Sequence, residues 1–447
     1  MMIGVAFETQ KQGKFMEQFG YLPIGMIVSY LVGALPFGLF LARIKGIDIL
    51  NQGSGNIGAT NVGRVLGAKY GFAVFVLDAL KGALPAKAGM LYLASPFGPE
   101  IAGILMGASA IFGHLFPIYL KFKGGKGIAT SAGAMAMLVP IPLALALLTW
   151  AAFTSSWGFV SLGSLASTVA LCSSQAFIAL KSGTQGNMYL LAFTFLATAF
   201  VWIKHIPNIS RLWAGAENRV KDSPLWRSVA SILLQLSLGI WLGTVVFFTG
   251  VIGPGVFTWF EKLCVTENPP YWLPTPEAFK ANTPVGFPNP LLKEQASRLA
   301  GVVVSPAFPV YFSIQVICGF TALIILWGNQ RRNPAGTLGK TMLACIGVGL
   351  LFALAGWVWE PKVEKDRIER ARLTDQVLLQ KEYNQDLVQS ALKARKDFTN
   401  SHLVSLGLNM TSALGMLAGI ILFAILNATS ENSLNQKLNT TSKSDSQ

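Results

Sequence analysis

Residues 100–143, EIAGILMGASAIFGHLFPIYLKFKGGKGIATSAGAMAMLVPIPL, carry the strongest structural signal in this chain. They join an apolar run of about 20 residues, which is long enough to cross a bilayer, to a basic glycine-rich loop and then to a second apolar run. Pro140 and Pro142 interrupt the second run, because proline lacks a backbone donor. The pattern predicts membrane helices that are connected by polar loops.

The composition extends this pattern to the whole chain. Of its 447 residues, 52% are hydrophobic and 13% are charged, and the mean hydropathy is +0.50. Soluble domains carry about 25% charged residues, so the composition excludes an ordinary soluble enzyme and predicts an all-α polytopic integral membrane protein. Lys and Arg number 35 against 21 Asp and Glu. Basic loops on the cytoplasmic side of the membrane would account for much of this excess positive charge, and the binding of an anionic substrate for the rest.

The charge of the loops predicts the topology. The apolar run that Pro140 and Pro142 interrupt is either one kinked span or two short ones. Only two crossings place the basic loops after the first and third spans, and the basic segment from residue 204, all in the cytoplasm. We therefore expect seven spans up to about residue 203 and about four more after it. A domain boundary is predicted after residue 221, with residues 222–447 as a membrane extension of unknown role. Its segment at about 360–398 carries balanced charges and is predicted to be an external helical arm.

Three polar islands stand out from the apolar background. The first is GSGNIGATN at residues 53–61, with Arg64 three residues further on. Closely spaced glycines let the backbone aim its N–H groups inward, and an arginine adds a bidentate fork, which together suit a phosphate group. The candidate site residues of this island are Ser54, Asn56, Thr60 and Arg64.

The second island is the loop KFKGGKG at residues 121–127. It combines free backbone donors, lysine charges and the start of a helix, and so predicts a phosphate cradle. It does not match the nucleotide P-loop, because Lys126 is followed by Gly127 rather than by Ser or Thr. The candidate site residues of this island are Gly124, Gly125, Lys126 and Gly127.

The third island begins at His205 and extends through Asn208 to Glu217. His205 could serve as a general base or as a donor to phosphate. Glu217 is expected to pair with a nearby cation and hold the loop. Asp78 and Lys81 lie inside an apolar run, where isolated charges are costly, so they are predicted to pair with each other or with loop residues.

Several chemistries lack their usual sequence patterns. The chain has no Gly-x-Ser-x-Gly elbow, and neither His114 nor His205 begins a His-x4-Asp motif. Its four cysteines have no metal-ligand spacing, and no carboxylate cluster resembles a metal site. We therefore expect no covalent enzyme intermediate, no metal and no cofactor. Donors and cations without a nucleophile are typical of a site that orients two anionic substrates.

The three islands, in this order and at this spacing, resemble the bacterial acyl-phosphate:glycerol-3-phosphate acyltransferase family (PlsY). The resemblance covers about the first half of the chain and includes the run LDALKG at residues 77–82. It implies a seven-helix enzyme of the bacterial inner membrane whose active site faces the cytoplasm. The implied reaction transfers a fatty acyl group from acyl phosphate to the sn-1 hydroxyl of glycerol 3-phosphate and gives lysophosphatidic acid, the first step of phospholipid synthesis.

The same resemblance implies roles for individual residues. Ser54 and Arg64 correspond to the essential serine and arginine of the family's first motif, and residues 124–127 to its glycerol-phosphate loop. Ser161 resembles a serine at the start of a later helix. His205, Asn208 and Glu217 resemble the third motif. The implied partners are the two substrates, the lipid bilayer and a functional link to the enzyme that forms acyl phosphate.

Two other interpretations of the chain are open at this point. One is a transporter or channel for a phosphorylated metabolite, since basic glycine-rich loops and broken helices also suit anion passage. The second half lacks the polar islands of the first, so the sequence offers no internal repeat to support it. The other makes the second half a structural or partner-binding module fused to an enzyme.

Overall fold

The computed structural model describes residues 21–93, 98–220, 224–265, 291–332, 334, 336–380 and 384–444, with side chains up to residue 429. All regular elements in these ranges are helical. The chain divides into two compact units, with the division between Trp226 and Arg227.

The first unit contains nine described helices. In chain order they are α1 (Tyr21–Ile44), α2 (Ala59–Leu66), α3 (Ala68–Tyr92), α4 (Pro99–Leu115), α5 (Ile128–Leu138), α6 (Pro140–Trp157), α7 (Val160–Ser182), α8 (Gln185–Lys204) and α9 (Ile206–Trp213). Helix α1 is interrupted at Leu35 and Pro36 and resumes at Phe37.

The proline-broken stretch forms two helices. Helix α5 ends at Leu138 and α6 begins at Pro140, so a proline occupies the first helical position, where its missing N–H costs nothing. At 11 residues α5 is too short to cross a bilayer as a straight helix. Its partner α6 has 18 residues.

Part of the first polar island is helical rather than a loop. The polar loops expected between membrane helices would include this island at residues 53–61, but Ala59–Leu66 forms α2. One face of this helix buries Asn61 and Val62, and Gly67 ends it with a φ of 103°, a conformation that favours glycine. This burial compensates for the weak helix propensity of the segment.

Helices of the first unit pack at backbone distance. A Cβ on Gly133 of α5 would overlap the backbone of Ala79 in α3, so only glycine allows this crossing. A buried apolar cluster extends from α3 to α8 and includes Ile111, Met135, Leu171 and Phe193. This framework carries the ends of the helices that surround the polar islands.

The second unit contains five described helices, the first of which begins at Leu225, just before the division. They are α10 (Leu225–Val265), α11 (Leu291–Val304), α12 (Ala307–Arg332), α13 (Gly336–Leu378) and α14 (Gln385–Ser444). A five-residue π turn, Phe248–Ile252, lies inside α10. Helices α10, α13 and α14 extend beyond the apolar runs from which their spans were predicted. Their flanking charged residues, as in Glu360–Leu378, are good helix formers and continue the helix.

Polar side chains join the membrane helices of the second unit. Trp241 Nε1 donates to Gln315 Oε1 at 3.1 Å, and the Tyr311 hydroxyl donates to Asn409 Oδ1 at 2.7 Å. Such bonds replace those that water would make and fasten helices together in lipid. Outside the apolar parts, Glu294 of α11 is held by Arg370 of α13 and Arg395 of α14.

The described helices confirm an all-α polytopic membrane protein. Nine of them are long and apolar enough to cross a membrane: α1, α4, α6, α7, α8, α10, α12, α13 and α14. Helix α3 has 25 residues but carries Asp78 and Lys81 inside it. A count of seven crossings before residue 205 requires both α3 and the short α5, and it stays a prediction.

Candidate active site

Lys126 connects the second and third polar islands. Its Nζ donates to Oδ1 of Asn208 at 2.5 Å, across 82 positions of sequence. Burial lowers the pKa of Lys126 to about 8; Arg211 and Arg64 lower it as well, whereas Glu217 opposes the shift. Since Arg64 acts on this charge, the first island also contributes to the electrostatics of the site.

Glycine is required where the second island approaches α4. A Cβ on Gly124 would overlap the backbone oxygen of His114, and a Cβ on Gly125 would overlap the His114 ring. Gly127 has a φ of 83° and precedes the first residue of α5. The loop can therefore follow this path only with glycines, and it leads directly into a helix N-terminus, where N–H groups favour an anion.

Glu217 organises the third island. Its carboxylate accepts hydrogen bonds from Ser161 Oγ at 2.9 Å, Asn208 Nδ2 at 2.7 Å and Arg211 Nε at 2.8 Å. Burial alone would raise the pKa of Glu217, but these bonds favour the ionised form and bring its pKa below the usual value. Ser161, at the start of α7, and Asn208, on α9, are thereby fixed around one charged group.

His205 is neutral at physiological pH. Burial, assisted by the charge of Lys126, lowers its pKa to about 4, although a hydrogen bond to Val201 and the charge of Glu217 oppose the shift. Its Nδ1 lies 2.8 Å from the Val201 carbonyl oxygen, which can only accept, so Nδ1 carries the proton. Nε2 is then an acceptor, which suits a substrate hydroxyl better than a phosphate oxygen.

Asn61 holds the first island together. Its Oδ1 accepts from the backbone N–H of Ser54 at 2.8 Å, and its Nδ2 donates to the carbonyls of Gln52 at 3.0 Å and Asn56 at 2.9 Å. The side chain of Asn61 is 2% exposed. Asn61 therefore holds the loop in shape from its buried side and leaves the exposed side chains of the island available to a ligand.

The other candidates of the first island lie on its surface. Asn56 Oδ1 accepts from the N–H of Gly58 at 2.8 Å, so this side chain caps the turn before α2. Ser54 and Thr60 are exposed, and Arg64 is exposed in the last turn of α2. An exposed arginine close enough to lower the pKa of Lys126 is well placed to bind a phosphate.

Asp78 and Lys81 pair with each other inside α3. The Lys81 Nζ and Asp78 Oδ1 atoms are 2.8 Å apart, and both residues are 3% exposed. They lie next to His114: Asp78 Oδ1 is 3.9 Å from His114 Nδ1, and the His114 ring lies against Gly125 of the second island. Their position makes them structural candidates.

Two residues of the site could not be assigned a role from the sequence. Asn61 was only part of the first island, and its central hydrogen bonding could not be read from sequence. Arg211 was one basic residue among several, although it forms the ion pair with Glu217 at 2.8 Å. The sequence did indicate that Glu217, an acid next to a basic stretch, pairs with a nearby cation, but not with which one.

An apolar groove lies beside the polar site. It has a volume of about 570 Å³. Its lining includes Leu162, Leu165 and Ala166 of α7, Trp202 of α8, and Leu212 and Trp213 of α9. Leu162 directly follows Ser161, and Leu212 is on the same short helix as Asn208, so α7 and α9 each carry residues of both the groove and the polar site. A molecule with a phosphate head and an apolar tail fits such a pair of sites.

These features define an all-helical membrane protein with a cationic, glycine-lined site and a neighbouring apolar groove. The family model "Glycerol-3-phosphate acyltransferase" matches residues 23–215. A glycerol-3-phosphate acyltransferase of Desulfotalea psychrophila is 42% identical over 195 residues, which are 44% of this chain and 96% of the relative. One of Rhizobium meliloti is 41% identical over 198 residues, which are 44% of this chain and 91% of the relative.

The chain belongs to the glycerol-3-phosphate acyltransferase family. Its first unit accounts for the match, and the later residues extend beyond these relatives. A crystal structure of PlsY, an integral membrane glycerol 3-phosphate acyltransferase in its glycerol 3-phosphate form, is 34% identical with a TM-score of 0.40 and covers 44% of this chain and 94% of that one.

Proposed function

We propose that the protein transfers a fatty acyl group from acyl phosphate to the sn-1 hydroxyl of glycerol 3-phosphate and releases lysophosphatidic acid and inorganic phosphate. The observation that carries this proposal is the bond between Lys126 and Asn208, which joins a phosphate loop to α9, a helix that also lines part of the apolar groove. The named activity of the curated relatives supports it and favours an enzyme over a transporter.

The reaction needs positioning more than a nucleophile. The substrate hydroxyl oxygen attacks the acyl carbonyl carbon, the new ester C–O bond forms, and the bond from that carbon to the phosphate oxygen breaks. The hydroxyl proton passes to the departing phosphate, so no group on the protein has to be consumed. Arg64 and Lys126 stabilise the phosphate charge as it develops, together with the N–H groups of Gly124, Gly125 and Gly127.

Polar residues around Glu217 would order the reacting end. Ser161 and Asn208 are fixed by this carboxylate. His205 Nε2, the ring nitrogen left as an acceptor, would accept a hydrogen bond from the glycerol hydroxyl. Its low pKa makes His205 a weak base, which is consistent with the phosphate as the final proton acceptor. Ser54, Asn56 and Thr60 would contact the second phosphate from the first island.

The pH dependence follows from Lys126. Its pKa of about 8 means that the ammonium is present below pH 8 and is lost as the pH rises through that value. We expect kcat/KM for glycerol 3-phosphate to fall about tenfold per pH unit well above pH 8. Lys126→Arg retains its charge there, so its profile should lose this descending limb. An unchanged limb in Lys126→Arg would refute the assignment.

The groove is proposed to hold the acyl chain. Ala166→Phe adds a ring inside the groove, and we expect kcat/KM for palmitoyl phosphate to fall at least about tenfold, because a few methylenes lose their apolar contact at about 0.8 kcal/mol each. Octanoyl phosphate should be affected less. Ala170→Phe, on the same helix but outside the groove lining, is the matched control. Equal losses for both donors would contradict the proposal.

We also propose a cellular setting for the reaction. The positive charge of the islands supports a site on the cytoplasmic face of a bacterial inner membrane. Residues 1–221 are proposed to form the acyltransferase domain and residues 222–447 a fused membrane module. Acyl phosphate is a reactive mixed anhydride, so an enzyme that forms it must supply this protein.

Acceptor analogues test the proposed chemistry. Propane-1,3-diol monophosphate keeps the hydroxyl equivalent to sn-1. Propane-1,2-diol 1-phosphate keeps only the hydroxyl equivalent to sn-2. We expect the first to be acylated and the second not, and Arg64→Ala to abolish transfer to glycerol 3-phosphate. Acylation of the 1,2-diol phosphate alone would contradict sn-1 transfer, and full activity of Arg64→Ala would remove Arg64 from the site.

A further inference from the structure

Three ionisable side chains lie buried among the membrane helices of the first unit. Asp78 and Lys81 are on α3, and His114 is in the last turn of α4. Their exposed fractions are 3%, 3% and 4%. Ionisable groups at such positions are costly, and the proposed chemistry uses none of them directly. Their contacts indicate what they do.

The first contact runs from Lys81 to the break in α1. Lys81 Nζ is paired with Asp78 Oδ1 at 2.8 Å and also donates to the carbonyl oxygen of Leu35 at 2.8 Å. Leu35 lies in the interruption of α1, just before Pro36 and the segment Phe37–Ile44. The ion pair therefore fixes the position from which the chain continues toward the first polar island.

That path leads to the first island through the rest of α1 and a short turn. After α1 the chain forms a short 3-10 turn, Ile49–Asn51, and the Ile49 carbonyl accepts a bond from Asn61 Nδ2 at 3.5 Å. Asn61 in turn holds Ser54 and Asn56. A displacement at Leu35 would therefore be transmitted to the first phosphate-binding segment.

The second contact runs from His114 to the second island. The His114 carbonyl accepts from the N–H of Gly125 at 3.1 Å, and its ring lies directly against Gly125, where a Cβ would overlap it. Lys126 is the next residue. On the other side, His114 Nδ1 faces Asp78 Oδ1 at 3.9 Å and has no hydrogen-bond partner among the described residues.

We propose that Asp78, Lys81 and His114 form a positioning cluster that sets the two phosphate-binding islands at a fixed distance from each other. Lys81 holds the approach to the first island, and the His114 ring supports the second. Asp78 lies between them, paired with Lys81 at 2.8 Å and 3.9 Å from His114 Nδ1. The inference rests on the proposed function and adds positioning residues to it. None of the three has to touch substrate.

A double variant that removes both charges of the ion pair tests the positioning role without leaving an unpaired buried charge. Asp78→Asn/Lys81→Met leaves no unpaired buried charge, so its folding is spared the large cost of either single change. We expect the KM for glycerol 3-phosphate to rise at least about tenfold while kcat changes less than about threefold. His114→Phe keeps a ring under Gly125 but loses Nδ1, and we expect a smaller rise in KM.

A matched control measures the effect of lost stability alone. Leu171→Ala removes a buried side chain from α7, which belongs to the apolar core of the first unit but carries none of the three cluster residues. It should lower the thermal midpoint in detergent and leave KM unchanged, because instability reduces the amount of active enzyme rather than substrate affinity.

Calorimetric binding of glycerol 3-phosphate to the full chain provides a readout without turnover. The Kd should rise in parallel with KM in both cluster variants. Unchanged KM and Kd in the folded double variant would overturn the proposal, and so would unchanged values in His114→Phe if the double variant failed to fold. If the wild-type chain bound glycerol 3-phosphate but made no lysophosphatidic acid, the proposed function would fail while the Kd values still decided the role of the cluster.

Discussion

Lys126→Met is expected to lower kcat/KM for glycerol 3-phosphate by about 10²- to 10³-fold, the range found when one preorganised donor to a developing charge is removed. Methionine preserves the length of the side chain but removes the ammonium group and its bond to Asn208. Both phosphate binding and the arrangement of the third island should therefore suffer. Steady-state kinetics on the purified protein measure the effect.

Lys123→Met is the matched control for this substitution. Lys123 lies in the same loop, carries the same charge and is exposed. If general attraction of anions to a basic loop were sufficient, the two variants would lose similar activity. We expect Lys123→Met to remain within about twofold of the wild type. Comparable losses in both variants would contradict a specific role for Lys126.

Gly125→Ala is expected to lower kcat/KM by about 10²-fold, the cost of misplacing a catalytic group by about 1 Å. The added methyl group would overlap the buried His114 ring, and neither α4 nor the loop has room to accommodate it. The loop must move, and Lys126 moves with it. Kinetics for the variant, together with its thermal midpoint, separate this displacement from unfolding.

The control for this prediction is Gly186→Ala. Gly186 lies in the first turn of α8, and the nearest atom to an added Cβ there is 3.8 Å away, which is ordinary van der Waals contact. Its kinetics should match those of the wild type. A Gly125→Ala protein with wild-type kcat/KM would show that the close contact with His114 does not set the loop position.

Local features of the fold could be read from sequence. Apolar length predicts the membrane helices, and Pro140 predicts the start of α6, because both depend on residues adjacent in the chain. The pairing of Asp78 with Lys81 is also local, since residues three apart share one helix face. Helix α2 was not foreseen, because its stability comes from burying Asn61 and Val62 rather than from propensity.

The arrangement of the site depends on contacts between distant segments. Lys126 meets Asn208 across 82 positions, and Ser161 meets Glu217 across 56. No periodicity links such residues, so the sequence indicates which residue types suit a phosphate but not which of them form a bonded group. The role of Glu217 as the common acceptor of three donors became visible only in the structure.

The most direct test of the proposed function is a comparison of acyl donors with the purified full-length chain. Radiolabelled glycerol 3-phosphate is incubated with palmitoyl phosphate or, separately, with palmitoyl coenzyme A, and labelled lysophosphatidic acid is measured. We expect product with palmitoyl phosphate and none with palmitoyl coenzyme A. Equal product from both donors would contradict dependence on acyl phosphate, and folded protein that gives no product with either would contradict the acyltransferase function itself.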